Sequence, residues 1–431
     1  MLATLLLLLA PTLYVCFRLR SAQDFVKLPS LVLVIFIAWL APQLFSVQTQ
    51  DPTVFVGSTV YGLFGTLCFL ALASGFRMGA RRAPFRKFLP NAREVTTLAV
   101  ILLSLISFLL NISYLDAIDA NREISQWSGS GTIIAFFSSI RYVVFAASAI
   151  AFFKRPNVLL GIFFVINFYI MAVIAFGELR RTDMISLTLI LFLVYFFVRR
   201  RLPPKSVIIA VVPVIAIIVF SIGELRSIQK LTFDGGGGIV DLFLSRSMWE
   251  LDFQSIFASS VALAPDVRNG SYIIQYCLET LNFSFGAELW NDMVWQYVPA
   301  QLVGSSFKQS LIIGDRVSIY GDLVNYFGYS RSSGTTRTGI GSAFLDFGFV
   351  GALYFFIIGV ICGRVFARAI TGDPIAQSFY IALVTPVLIS FTHSHSYFFA
   401  LFPLLWTAQR GLIVLKRLQI GNGMSARRHR A

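Results

Sequence analysis

The feature that most limits the possible folds of this chain is a series of apolar runs, each about 20 residues long. A helix of about 20 apolar residues crosses the hydrocarbon core of a bilayer. Only helices and closed barrels satisfy their backbone groups there, and the period-2 alternation of barrel strands is absent. We therefore predict an all-α polytopic integral membrane protein. The eleven predicted spans are 2–17, 28–47, 54–76, 95–115, 132–153, 157–176, 184–198, 206–223, 342–363, 375–392 and 397–415.

Composition supports this class. The 431 residues are 57% hydrophobic and only 13% charged, whereas soluble domains carry about 25% charged residues. The spans divide the chain into transmembrane helices one to eight (1–223), a large loop (224–341), transmembrane helices nine to eleven (342–415) and a basic tail (416–431).

The distribution of charge predicts the orientation of the spans. With the amino terminus outside, the inside segments hold 23 Lys and Arg against 3 acidic residues, and the outside segments hold 11 against 17. This asymmetry follows the positive-inside rule. The net charge of +14 is therefore a consequence of topology, and nucleic acid is not an expected partner. The four cysteines stand apart, so neither a disulfide nor a cysteine-based metal site is expected.

The large loop is expected to be partly helical. One amphipathic segment begins at 239, and a second, AELWNDMVWQYVPAQLV, carries Trp290, Trp295 and Tyr297. These aromatic residues have two interpretations, which the sequence leaves open. They can form an interfacial belt at headgroup depth, or they can be platforms on which sugars stack.

Two apolar runs end in almost the same sequence, AFGELRRTD at 175–183 and SIGELRSIQ at 221–229. Arginine offers a planar, permanently charged fork that binds phosphate oxygens bidentately. We therefore predict a diphosphate site at the outer membrane face; the alternative is a salt-bridge network that ties helix ends together. The predicted diphosphate-binding residues are Arg180, Arg181, Arg226 and Arg337, supported by Gly177, Glu178, Asp183 and Gly223.

Charged residues inside predicted spans are functional candidates because their insertion is costly. Arg141 lies within the fifth span, and Asp346 lies one turn into the ninth, where it could be the partner of Arg141. Arg141 could equally be a buried structural residue. His393 and His395 mark the outer end of the tenth span. Residues two apart do not share a helix face, so we predict no metal site there and consider one histidine a possible proton acceptor.

Motifs for nucleotide or metal chemistry are absent from the sequence. It contains no phosphate-binding P-loop, no HExxH, no Gly-x-Ser-x-Gly and no Asp-x-Asp motif. The predicted inside loops are also too short to hold a catalytic domain. A cytosolic enzyme that uses nucleotide sugars is therefore not expected, and we predict no cofactor.

The chain resembles the Wzy-type polymerases of bacterial surface polysaccharides, also called O-antigen or oligosaccharide repeat unit polymerases. The resemblance covers the layout of many spans with one large loop before the last few. It rests on FGELRRTDMISLTLILFLVYFFVRRR, which is similar to a Gly-x-Arg pattern of the family, and on TGIGSAFLDFGFVGALYFFIIGVICG, a Gly/Ser-rich start of a span. An Arg followed eleven positions later by Gly occurs at Arg226 and Arg337. In some members these motifs occupy two periplasmic loops, whereas here both arginines flank one loop.

The resemblance implies a fold similar to the membrane-integral GT-C glycosyltransferases and to the O-antigen ligases. It implies a metal-independent enzyme of the bacterial inner membrane with an active site that faces the periplasm. The implied substrates are undecaprenyl-diphosphate-linked oligosaccharides, and the growing glycan is transferred to a new lipid-linked repeat. Membrane lipids are further partners, and a chain-length regulator and a flippase are candidates.

In the mechanism that we predict from this resemblance, arginines hold the leaving diphosphate and Glu224 or His393 accepts the proton of the acceptor hydroxyl. Histidine is absent from 224–341, which favours a polymerase over a ligase, because ligases carry a functional histidine in this loop. The alternatives are a transporter or flippase of lipid-linked glycans, an O-antigen ligase, and a structural subunit of an envelope assembly.

Overall fold

A computed structural model of the protein describes residues 2–82, 97–120, 130–177, 181–207, 209–210, 213, 265–298, 300–314, 318–332 and 335–428. Every regular element in these ranges is a helix. The helices before the large loop are α1 (Leu2–Cys16), α2 (Ala22–Phe25), α3 (Leu28–Ile35), α4 (Ala41–Gln50), α5 (Phe55–Arg82), α6 (Thr97–Ala120), α7 (Ser130–Ser138), α8 (Arg141–Lys154), α9 (Val158–Ala172) and α10 (Arg181–Arg199).

The remaining helices lie in the predicted loop and after it. They are α11 (Pro265–Thr280), α12 (Ala287–Tyr297), α13 (Ala300–Val303), α14 (Ser305–Ser310), α15 (Ser318–Phe327), α16 (Gly339–Phe347), α17 (Ala352–Ile370), α18 (Pro374–Thr392) and α19 (Ser396–Arg428). A π-helical turn, Phe36–Leu40, joins α3 to α4, and a second one, Val173–Gly177, follows α9.

The prediction of a polytopic helical membrane protein is confirmed. Within the described ranges, nine helical segments are long and apolar enough to cross a membrane, and each corresponds to a predicted span. The predicted span 2–17 forms the shorter helix α1. The predicted span 206–223 and the amphipathic segment from 239 lie almost entirely outside the described residues.

The chain forms two compact units, each built from segments that are distant in sequence. The first unit contains Met1–Ala83, Phe257–Arg364 and Pro386–Ala400, and the second contains Pro84–Ile256, Val365–Thr385 and Leu401–Ala431.

Within the first unit, α5 packs through pairs of glycines against the part of α17 that ends at Arg364. A Cβ on Gly75 or Gly79 would lie 2.1 Å from a backbone carbonyl of α17. In return, a Cβ on Gly359 or Gly363 would lie 2.2 or 2.1 Å from a carbonyl of α5. Lipid tails are as apolar as leucine, so the hydrophobic effect does not drive helices together inside a membrane. Helix association there depends instead on van der Waals contacts, which become closer where small residues let the backbones approach. The small-xxx-small spacing on both helices therefore fixes this crossing.

Helix α11 comes from the predicted loop, yet it is a core element of the first unit. Ten of its residues are buried, including Ser271 and Cys277. Burial raises the pKa of the Cys277 thiol to about 12. Its Gln275 side chain accepts a hydrogen bond from the Gly57 amide at 2.6 Å, and a Cβ on Gly57 would lie 2.3 Å from the Ser271 carbonyl oxygen. The loop is thus anchored to the start of α5.

Candidate functional site

In the first unit, a cluster of charged side chains surrounds Arg337, just before α16. Helix α12 places Glu288 and Asp292 four residues apart, so they share one helix face. The Arg337 guanidinium forms an ion pair with Glu288, and its other terminal nitrogen lies 3.8 Å from Oδ2 of Asp292. The three side chains are about equally accessible, at 16%, 16% and 15%. One permanent positive charge therefore faces two carboxylates.

Burial alone would lower the pKa of the Arg337 guanidinium. The carboxylates of Glu288 and Asp292 outweigh this effect, and the pKa is raised above its ordinary value. The guanidinium thus stays charged, and it holds both carboxylates at one place.

The short segment between α18 and α19 adds two hydroxyl groups to this cluster. Oδ2 of Asp292 accepts hydrogen bonds from Oγ of Ser396 at 2.5 Å and from Oγ of Ser394 at 3.4 Å. The two serine oxygens lie 2.7 Å apart. A carboxylate beside clustered hydroxyl donors is suited to binding the hydroxyl groups of a sugar.

A second, fully enclosed pair adjoins the cluster. Nε2 of His395 lies 2.9 Å from Oδ2 of Asp346, and neither side chain is exposed. Asp346 also accepts hydrogen bonds from the hydroxyls of Ser284 and Tyr354 and from the Glu288 amide. Glu288 therefore connects the enclosed pair to the partly accessible cluster, and its backbone is held in place from within.

Backbone geometry explains why this part of the sequence is rich in glycine. Thr338 caps α16 by accepting a hydrogen bond from the Gly341 amide at 3.1 Å. A Cβ on Gly339 would lie 1.5 Å from the Ser390 carbonyl oxygen, so no other residue fits. Gly348 has a φ of +54° and ends α16, a conformation that favours glycine. Gly339 brings the start of α16 against the segment that carries His395.

The structure brings together some predicted site residues and separates others. Arg337, Asp346 and His395 belong to the network of the first unit. Arg181 is the first residue of α10, in the second unit. His393 is exposed, and its Nδ1 lies 2.8 Å from Oγ1 of Thr392. The remaining predicted residues, Glu178, Arg180, Gly223, Glu224 and Arg226, lie outside the described residues.

The suggestion that Asp346 is the partner of Arg141 is wrong. Arg141 is buried in the second unit, where its guanidinium lies 3.2 Å from Oδ1 of Asp183. The Tyr142 hydroxyl donates to the same carboxylate oxygen at 2.7 Å, and Arg141 donates to Oγ of Ser138 at 2.9 Å. These contacts fit the interpretation of Arg141 as a buried structural arginine. They also assign Asp183, predicted as a support for the arginine clamp, to that pair.

Gly177 ends a π-helical turn and is the first residue of the first Gly-Glu-Leu-Arg sequence. A Cβ added there would meet nothing within 4 Å. Packing against the described residues therefore does not require glycine at this position. Single π-helical turns inside α-helices occur frequently at functional sites.

The aromatic residues of α12 are partly exposed and are tied to the segment that follows it. The Trp290 indole donates to the Leu311 carbonyl at 2.7 Å, and the Lys308 ammonium lies 4.4 Å from the centre of the Trp295 ring.

A stacked pair, Tyr272 and Tyr329, has ring centres 3.9 Å apart. Burial raises the pKa of Tyr329 to about 12, and it also raises the pKa of Tyr272.

Sequence reasoning missed Glu288, Asp292, Ser394 and Ser396. A signal was present for two of them, because Glu288 and Asp292 stand four apart on a segment that the sequence predicts to be an amphipathic helix. The serines gave no such signal, since only the turn between α18 and α19 aims them at Asp292.

Comparison of the chain with family models, with curated proteins and with solved structures finds no match in any of the three.

Proposed function

We propose that the protein is a metal-independent glycosyltransferase of the bacterial inner membrane, which polymerises undecaprenyl-diphosphate-linked oligosaccharide repeat units at the periplasmic face. The observation that carries the proposal is the cluster in which Arg337 holds Glu288 and Asp292 beside two serine hydroxyls. Carboxylates that are partly accessible and rigidly held can bind an acceptor sugar and take up a proton.

In this proposal Arg337 has a different role from the one that the sequence suggests. Two carboxylates already offset the charge of Arg337, so Arg337 positions Glu288 and Asp292. The prediction that Arg180, Arg181 and Arg226 bind the diphosphate rests on the sequence alone, because planar arginine forks can offset the negative charge that develops on a leaving group.

The reaction is a displacement at the anomeric carbon of the growing glycan. A hydroxyl oxygen of the new repeat attacks this carbon while Glu288 or Asp292 accepts the hydroxyl proton. The bond from the anomeric carbon to the diphosphate oxygen breaks, and undecaprenyl diphosphate leaves with the electron pair. A positioned general base contributes about 10²- to 10⁴-fold to such a rate.

The test uses deletion of the gene and complementation with variants, followed by gel analysis of the surface polysaccharide. Glu288→Gln and Asp292→Asn keep the shapes of the side chains but remove their charge. We expect at least one of them to leave only core plus one repeat while the protein stays in the membrane. Asp322→Asn, which changes an acidic residue of the same loop outside the cluster, should give a normal ladder.

The outcomes distinguish the alternatives. Full ladders from both variants would overturn the assignment of the cluster. Loss of all repeats in the deletion strain, rather than a single repeat, would indicate export or ligation in place of polymerisation. Arg181→Lys should shorten the polymer if the arginine fork holds the diphosphate, because lysine keeps the charge but not the planar geometry.

A further inference from the structure

A groove opens between α1 and the arginine-bearing end of α5. It has a volume of about 320 Å³ and is lined by Tyr14, Ser74, Arg77, Met78 and Arg81. Tyr14 forms its wall on α1, where the ring packs 6.0 Å from Phe69 and the hydroxyl donates to the Ala73 carbonyl at 3.4 Å. The groove lies wholly within the first unit.

Both arginines of the groove are exposed. Arg77 and Arg81 stand one turn apart on α5, and neither forms an ion pair or a hydrogen bond with the described residues. Among the described residues that line the groove, none is acidic. A third cation lies near the rim, since the Arg18 guanidinium is 5.4 Å from the centre of the Tyr14 ring. The groove therefore attracts an anion.

The same face of α5 continues as an apolar stripe. Ser74, Arg77 and Arg81 recur every three or four residues, which places them on one helix face. Leu63, Leu67 and Leu70 extend this spacing toward the other end of the helix, and they are 43%, 41% and 37% exposed. A ligand that lies on this face meets hydrocarbon along most of its length and positive charge at one end.

We propose that this groove binds the phosphodiester headgroup of an anionic phospholipid, with an acyl chain along the leucines of α5. The span places the arginines at its end, at headgroup depth, and basic pockets between helices on the cytoplasmic side of a membrane bind such headgroups. A free phosphate ion would use the arginines but not the leucines, so a lipid fits the whole surface.

The experiment measures lipid adducts on the purified full-length protein by native mass spectrometry. The probes are phosphatidylglycerol, phosphatidylcholine and inorganic phosphate. The test variant is Arg77→Ala with Arg81→Ala. The matched control is Arg364→Ala with Arg368→Ala, which removes two exposed arginines with the same spacing from α17.

We expect the wild type and the control to bind phosphatidylglycerol in preference to phosphatidylcholine. The test variant should lose about thirtyfold in apparent affinity for phosphatidylglycerol, because each arginine near an anionic surface contributes about a factor of six. Inorganic phosphate should not compete. Leu67→Gln leaves both arginines intact, and it should weaken binding as well, because the acyl chain loses part of its apolar path.

Equal binding of the two lipids would overturn the proposal, as would an equal loss in the test and control variants. Competition by inorganic phosphate, with no effect of Leu67→Gln, would identify a site for a free anion instead. If the test variant does not fold, Arg77→Gln alone together with Leu67→Gln decides between these outcomes.

Discussion

Each unit contains an arginine that is paired with acidic side chains. The two clusters differ in how many carboxylates face the arginine and in how accessible the side chains are to solvent. Arg141 and Asp183 form a one-to-one pair whose side chains are 6% and 5% exposed. Arg337 faces two carboxylates, and each side chain of that cluster is about 15% exposed. A balanced and enclosed pair can only hold helices together. A cluster with one surplus carboxylate and a path to solvent can also exchange protons and bind a polar ligand.

We expect the largest effect on stability from a substitution of Asp183. Asp183→Asn leaves the buried charge of Arg141 without a counter-ion, which costs about 3–5 kcal/mol in comparable buried pairs. We expect a large drop in membrane level and in the detergent unfolding temperature. Replacement of both partners, Arg141→Met with Asp183→Leu, should restore most of the loss. A normal unfolding temperature for Asp183→Asn would contradict a structural role for the pair.

An intermediate effect is expected at Gly339, beside the accessible cluster. Gly339→Ala places a Cβ where the Ser390 carbonyl lies, and the segment up to His395 must move. Overpacking of this kind costs about 1–3 kcal/mol, and displacement of Ser394 and Ser396 should also shorten the polymer. The matched control is Gly177→Ala, whose Cβ meets none of the described residues within 4 Å and which should change the unfolding free energy by less than about 1 kcal/mol. Equal effects of the two alanines on stability would argue against this packing.

The smallest effect on stability is expected at Arg337. Arg337→Lys keeps the positive charge between Glu288 and Asp292 but loses the fork that holds both. We expect the unfolding free energy to fall less than in Gly339→Ala, because the positive charge is kept, whereas polymer length should fall clearly on polysaccharide gels. If stability and polymer length fall together, the two clusters do not differ in the way proposed, and Arg337 is structural like Arg141.

Some features of the site could be predicted from single segments, and others could not. The amphipathic pattern of 287–303 predicts a helix, and α12 is that helix. The same pattern does not say that its acidic face meets Arg337, because the two are separated by some 45 residues of loop. The sequence favoured His393 over His395, yet it is His395 that is buried against Asp346. The turn between α18 and α19 determines which of the two histidines lies against Asp346, and no local sequence pattern predicts this.

The sequence by itself determined that this is a helical membrane protein and where nine of its spans lie. Each span is a local property, since insertion depends on the apolarity and length of one segment. Only the tertiary structure decided that Arg141 pairs with Asp183 and that α11 is buried. Only the tertiary structure brought Glu288, Asp292 and Ser396 together around Arg337. In each case the structure determines which side chains pair. The pairing depends on close packing between segments that are distant in sequence, through contacts such as those of Gly57 and Gly339.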